Sequence, residues 1–277
     1  MSTLRNLTMA CALMAISLDP AIAQTAPSQP TAGTYEPKVG QEGKDVVWVP
    51  TPQALVDRML AMAEVSKEDY LIDLGSGDGR TVITAATLGV RAHGIEYNPD
   101  MVALSKRNAQ AAGVEDRTTF IQADIFESDF SEASVITLFL LPDLNLRLRP
   151  TLLDMKPGTR VVSNSFHMGD WRPDDQIDAG SECENYCRAY KWVVPAKVAG
   201  EWRLGDDQLT LTQTYQMLSG TLVRNGTAHE ISEARMDGTN ITFTAAGMRY
   251  RGSVDGNTMT GAAGNGDARW TAERQAD

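Results

Sequence analysis

Hydrophobic and polar positions along this chain follow two different grammars, which meet near Pro195. From Val46 onward, apolar runs of strand length alternate with stretches in which apolar residues recur at helical spacing. Leu55, Val56, Met59, Leu60 and Ala63 make the apolar stripe of a first helix, with Thr51 as its expected N-cap and Pro52 at the first helical position. Tyr70-Leu71-Ile72 suits a buried strand, and Val82, Ile83 and Ala86 form one face of the next helix. A second strand ends in His93-Gly94-Ile95-Glu96-Tyr97; Asn98-Pro99-Asp100 then opens a helix that Gly113 is placed to close. Thr119-Phe120-Ile121 and Val135 to Leu140 are the third and fourth strands. Leu146, Leu148, Leu152, Leu153 and Met155 predict a helix kinked near Pro150 and stopped at Pro157-Gly158. A fifth strand covers residues 159–166, and Tyr190 to Val194 supplies a later one. This order predicts a Rossmann-like, doubly wound α/β sheet.

Beyond Pro195 the period shortens to two. Eight short alternating runs begin at Glu201, Leu209, Met217, His229, Ile241, Met248, Thr258 and Arg269. Asn225-Gly226, Asp237-Gly238, Asp255-Gly256 and Asn265-Gly266 punctuate them, and such pairs accept the positive φ of tight hairpins. Residues 196–277 therefore read as a small antiparallel β module in meander order, a barrel or a sandwich.

The chemistry is concentrated in the first part. Asp73-Leu-Gly-Ser-Gly-Asp-Gly79 follows the first strand directly, and its glycines let the backbone turn sharply and approach a ligand. Arg80 stands where a dinucleotide fingerprint carries its last glycine, which disfavours NAD and FAD. Glu96 lies at the offset of a carboxylate that accepts hydrogen bonds from ribose hydroxyls. A third acid, Asp124, follows the third strand.

This ordered set resembles the class I S-adenosylmethionine (SAM) dependent methyltransferases. Val49-Pro50-Thr51-Pro52, Leu140 to Asn145 and Met168-Gly169-Asp170-Trp171 look, more narrowly, like the bacterial relatives of the mitochondrial lysine methyltransferases that modify the ADP/ATP carrier and the ATP synthase c-subunit. The resemblance covers roughly residues 46–175. It implies that Asp73, Gly75, Ser76, Gly77, Gly79 and Glu96 face SAM, that Asp124 and Ile125 meet the adenine, and that Thr51 and Leu140 border the methionine end and the acceptor entrance. Asp143 and Asn145 are then the candidates for positioning an acceptor amine. For Asp143, Asn145 and Thr51, plain helix capping is the competing reading. His167 is either a general base or a strand-end histidine with a structural hydrogen bond; His93 reads as structural.

The remaining features bound the setting. Residues 1–23 carry Arg5, an apolar run from Leu7 to Leu18 and Ala21-Ile22-Ala23 before Gln24, the pattern of a secretory leader whose removal leaves no stable membrane span. Residues 24–45, with Pro27, Pro30 and Pro37, read as a linker to a methyltransferase domain over residues 46–195. The protein is then expected to be exported, periplasmic or secreted. A formal charge of -11 repels phosphate backbones and disfavours nucleic-acid substrates. A protein lysine or a small molecule is the expected acceptor. Cys183 and Cys187 either bridge a local loop or stay as free thiols, since a helical placement would need distortion to reach bonding geometry. No residue cluster has the spacing of a metal site. The competing function is an exported, non-catalytic SAM-fold scaffold acting through its β module, a reading motivated by the cytoplasmic origin of SAM.

Overall fold

The computed structural model describes residues 35–266 and 268–275. The expected leader, and the linker as far as residue 34, lie outside the described residues. Among the described residues no helix is long and apolar enough to cross a membrane.

The first grammar gives α1 (Gln53–Met62), β1 (Tyr70–Leu74), α2 (Arg80–Thr87), β2 (Arg91–Glu96), α3 (Pro99–Ala111), β3 (Thr118–Gln122), β4 (Val135–Leu138), α4 (Pro142–Leu153), β5 (Arg160–Asn164), β6 (Asp175–Asp178) and β7 (Arg188–Val193). The strands form one sheet in the order β3-β2-β1-β4-β5-β7-β6. β1 to β5 run parallel, whereas β7 is antiparallel to both of its neighbours. Leu71, Val82, Ala85 and Val162 are fully buried in the core on the α1 and α2 side of the sheet, and Leu74, Ile136, Leu152 and Val161 in a second core. The chain order reverses between β1 and β4, and a crevice opens at such a switch point, outside the carboxyl ends of the strands.

Three local expectations are corrected. Thr51 does not cap α1. The Pro52 carbonyl accepts from the Leu55 and Val56 amides, and the Thr51 hydroxyl instead accepts from Asn164 Nδ2 at 3.2 Å. α4 begins at Pro142, where the missing N–H costs nothing, and runs through Pro150 to Leu153. Its cap position is Leu141, so neither Asp143 nor Asn145 caps it. Residues 35–45, read as part of a linker, belong to the folded body: Gly40, Gln41, Gly43, Val46 and Trp48 exchange backbone hydrogen bonds in a tight hairpin. Proline and glycine there serve a turn rather than an extended tether. Asn98 is the N-cap of α3 as expected, its Oδ1 accepting from the Asp100 and Met101 amides.

The second grammar gives β8 (Gly200–Leu204), β9 (Asp207–Thr214), β10 (Met217–Arg224), β11 (Thr227–Glu230), β12 (Ser232–Asp237), β13 (Asn240–Ala245), β14 (Met248–Asp255), β15 (Thr258–Ala263) and β16 (Ala268–Arg274). β16 pairs back onto β8, and β10 pairs with both β9 and β12. The result is a closed barrel of eight strands, with β11 prolonging β12 past Ile231 as a hairpin arm on β10. Closure leaves the eight strands no open edge. The interior is filled: Trp202, Leu222, Phe243 and Met259 are fully buried, and the Phe243 and Tyr250 rings stack 4.5 Å apart. Trp270 lies over Gly252, where a Cβ would come within 2.5 Å of its ring.

Barrel and sheet meet along a specific joint. Tyr215 stacks on buried Trp171 at 6.0 Å and donates its hydroxyl to Asp170. Gln216, itself buried, donates to the Arg172 carbonyl and to Asp174. Arg235 reaches the same Asp174 carboxylate at 2.8 Å.

Candidate active site

The crevice at the switch point is a cavity of about 620 Å³, within the range of small-molecule and cofactor sites. Its floor is the turn after β1. Gly75 and Gly77 have φ of 81° and 54°, a backbone region that glycine enters without penalty. A side chain at Gly77 would also meet the Trp48 indole at 2.6 Å from its Nε1. The turn is held from several sides. Gly77 N–H donates to Glu96 Oε2 and Asn98 N–H to Glu96 Oε1, both at 2.9 Å. Ser105 Oγ donates to the Gly77 carbonyl and Asn108 Nδ2 to that of Asp78. Arg80, paired with Asp78, donates to the Thr51 carbonyl and so fixes the start of α1 against the loop.

Of the residues expected to face a cofactor, Thr51, Asp73, Gly75, Ser76, Gly77, Glu96, Asp124, Ile125 and Leu140 share this one wall. Gly79 stands apart from it. It caps α2 with φ 81°, and a Cβ there would press on Phe120 and Ser105 at 2.9 Å. Asp143 is exposed in the first turn of α4, outside the wall. Asn145 is fully buried behind the wall and donates to Ser163 Oγ and to the Phe166 and His167 carbonyls, each at 3.3 Å. Its amide nitrogen holds the chain after β5 in place, its Oδ1 has no hydrogen-bond partner among the described residues, and it is not among the residues that line the cavity. His167 packs on Tyr190 and His93 contacts the Tyr70 hydroxyl; neither lines the cavity.

Sequence reasoning missed a second set. Trp48 arrives on the N-terminal hairpin, and Lys44 from the same hairpin pairs with Asp124 while lying 4.9 Å over the Tyr97 ring. The Lys44 hydrogen bond, followed by that of the Phe126 amide, holds the Asp124 carboxyl below its ordinary range. At the other end stand Phe139, Phe166 and Tyr186. None of these has a motif, because each reaches the cavity through tertiary packing.

The wall fits an adenosine-bearing, positively charged cofactor. Ser76 Oγ is buried and, among the described residues, has no hydrogen-bond partner, which leaves it available to a ligand. Asp73, Glu96 and Asp124 supply acceptors along one side. The segment 73–175 matches the family profile of the ANTKMT methyltransferase domain. A protein-lysine N-methyltransferase of Saccharolobus islandicus is 44% identical over 135 residues, spanning 48% of this chain and 84% of that protein. The chain belongs to this methyltransferase family. The mouse lysine N-methyltransferase of the ATP synthase c-subunit is 34% identical over 134 residues, and the chain spans only 54% of its length. A crystal structure described as an RNA methyltransferase from Salinibacter ruber in complex with S-adenosyl-L-homocysteine is 50% identical, with a TM-score of 0.51, over 54% of this chain and 96% of that one. This chain is thus a SAM-dependent methyltransferase, its catalytic sheet followed by the barrel.

The Asp73 carboxyl stands well above its ordinary range. It is buried in β1, accepts from Thr137 Oγ1 at 2.7 Å, and is pushed up to about 7, chiefly by burial and further by the nearby Glu96 and Asp78 charges. A carboxyl raised in the fold contributes stability that is complete below its unfolded value near 3.8 and is lost as pH rises through about 7. At about 1.4 kcal/mol per pKa unit, that loss is on the order of 4 kcal/mol. Urea unfolding of the ligand-free protein at pH 4 to 8 is expected to show it, and Asp73→Asn to remove it. Parallel stability curves for the two proteins would overturn this assignment.

Proposed function

We propose that this methyltransferase modifies a lysine amine of a protein, and that it does so outside the cytoplasm. The acceptor reading is carried by the acceptor end of the cavity, where Phe139, Leu140, Leu141, Leu144 and Phe166 make an apolar slot suited to an aliphatic chain tipped by an amine. Relatives named as lysine methyltransferases support it. The formal charge of -11 favours a basic protein over a phosphate backbone.

Bound SAM supplies a methyl group activated by its sulfonium. The protein's own work is positional: the glycine turn and Glu96 fix one end of the site, and the apolar slot directs the amine toward the methyl and excludes water. The amine must be neutral when it attacks, because only a free lone pair forms the new bond. The apolar slot disfavours its charged form by desolvation, and the proton leaves through the open mouth to solvent.

The full chain incubated with labelled SAM, a panel of lysine-containing peptides, total RNA and small amines tests this. Label on a lysine Nζ, located by peptide mass spectrometry, is expected. Label confined to RNA or to a small amine would refute the lysine reading.

Export is supported by the leader pattern over residues 1–23 and by a disulfide between Cys183 and Cys187, a bond that persists in oxidising compartments. Sequencing the amino terminus of protein recovered from fractionated source cells should read from Gln24. An intact Met1 in the cytosolic fraction would sink this part of the proposal.

A further inference from the structure

The loop between β6 and β7 is short, acidic and closed on itself. After a 3-10 turn at Gly180–Glu182, Cys183 leaves in an extended conformation and is bridged to Cys187, with the two Cα atoms 5.5 Å apart. No helix intervenes, so the distortion expected of a helical i,i+4 pair does not arise. Both cysteines pack on the core beneath α1, and Arg58 of that helix holds Glu182 and the Asp178 carbonyl. Within the bridged segment Tyr186 has φ 56°, a left-handed conformation that a bulky residue adopts only when its surroundings impose it.

The result is to place the Tyr186 ring at the cavity. It meets Phe139, at the end of β4, edge-on at 5.1 Å, and lies 6.4 Å from Phe166, after β5. Phe139 and Phe166 are themselves stacked at 6.2 Å, and the Asn145 amide holds the Phe166 carbonyl. Three rings from three separate segments thus form one continuous wall of the cavity at its acceptor end. Tyr186 remains 45% exposed, so it is the ring an incoming chain meets at the mouth.

We infer that Tyr186, held by the Cys183–Cys187 bridge, is a specificity-determining residue that guides an amine-bearing side chain along the Phe139–Phe166 wall into the cavity. This rests on the lysine reading above. Aromatic faces favour a cationic amine before it loses its proton and pack against its methylene stem afterwards. Glu184 on the same exposed loop adds a negative charge suited to a basic segment.

The test uses the full chain, labelled SAM and the lysine peptide that the wild type methylates best, with S-adenosylhomocysteine affinity measured by calorimetry. Tyr186→Ala is expected to raise the peptide KM about tenfold, the scale of an aromatic contact with a cation, while leaving cofactor affinity unchanged. Tyr186→Phe should restore the KM. Cys183→Ser combined with Cys187→Ser should shift the KM in the same direction as Tyr186→Ala, and a reductant should do so in the wild type alone. An unaltered KM in Tyr186→Ala, or a parallel loss of cofactor affinity, overturns the inference while leaving the lysine reading standing. A wild type that binds the cofactor but methylates no lysine in the panel overturns both.

Discussion

Glu96→Ala is expected to weaken S-adenosylhomocysteine binding about a hundredfold. Its carboxylate does two things in the structure. Each oxygen holds one backbone amide, Gly77 N–H from the glycine turn and Asn98 N–H from the start of α3. The residue also stands in the cavity wall, and a carboxylate oxygen that accepts one hydrogen bond keeps capacity for a second. Removing it takes away a charge-assisted acceptor for a ligand hydroxyl and unties the Gly77 turn at once. Hydrogen bonds to a charged group contribute about 1.5 to 3 kcal/mol, and about 3 kcal/mol corresponds to the hundredfold loss. Titration calorimetry on the full chain measures it directly. Thermal unfolding without ligand should fall by less, because Ser105 and Asn108 still hold the turn. An unchanged dissociation constant would mean that the cofactor lies elsewhere than along this wall.

The parts of the site that were legible in the sequence are those fixed by local chain geometry. A strand followed by a glycine turn places Asp73, Gly75, Ser76 and Gly77 together by covalent connection, and parallel pairing then brings Glu96 and Asp124 to the same end of the sheet. The acceptor wall is another matter. Tyr186 reaches Phe139 only because β7 inserts antiparallel beside β5, across 22 residues from Phe166 to Arg188 that carry no strong period. Lys44 finds Asp124 eighty positions away, through a hairpin whose Pro37, Gly40 and Gly43 resemble the residues of a tether. The position of Asn145, just inside a helix after β4, suits an acceptor contact as well as it suits burial, and the structure buries it behind the cavity wall. The buried Ser163 hydroxyl and the carbonyls after β5 claimed its amide. In the barrel the strand count and meander order were readable from the turns. Closure was not, since it depends on Leu204 pairing with Ala272 at the far end of the module.

Ending the chain at Ala196 is expected to destabilise the α/β body by several kcal/mol, while the folded fraction keeps its cofactor affinity. Every described residue that lines the cavity precedes β7, so among the described residues the barrel supplies no part of that wall. Its contribution is to the joint. Without it, the indole of Trp171 loses the Tyr215 ring stacked on it, and the Asp174 carboxyl loses Arg235 and Gln216. That carboxyl already stands above its ordinary range because burial outweighs its partners, so its remaining hydrogen bond from the Val193 amide has to hold it against solvent. Uncovering one large aromatic side chain costs about 1.5 to 3 kcal/mol, and losing the hydrogen bonds of the joint about 1 kcal/mol each. Tyr215→Ala in the full chain isolates the aromatic share, expected at about 2 kcal/mol in urea unfolding. The decisive comparison is S-adenosylhomocysteine affinity at a temperature where circular dichroism shows the shortened chain folded. If that chain is as stable as the intact protein, the joint is a passive contact; if it folds and no longer binds, the barrel shapes the cofactor site from a distance.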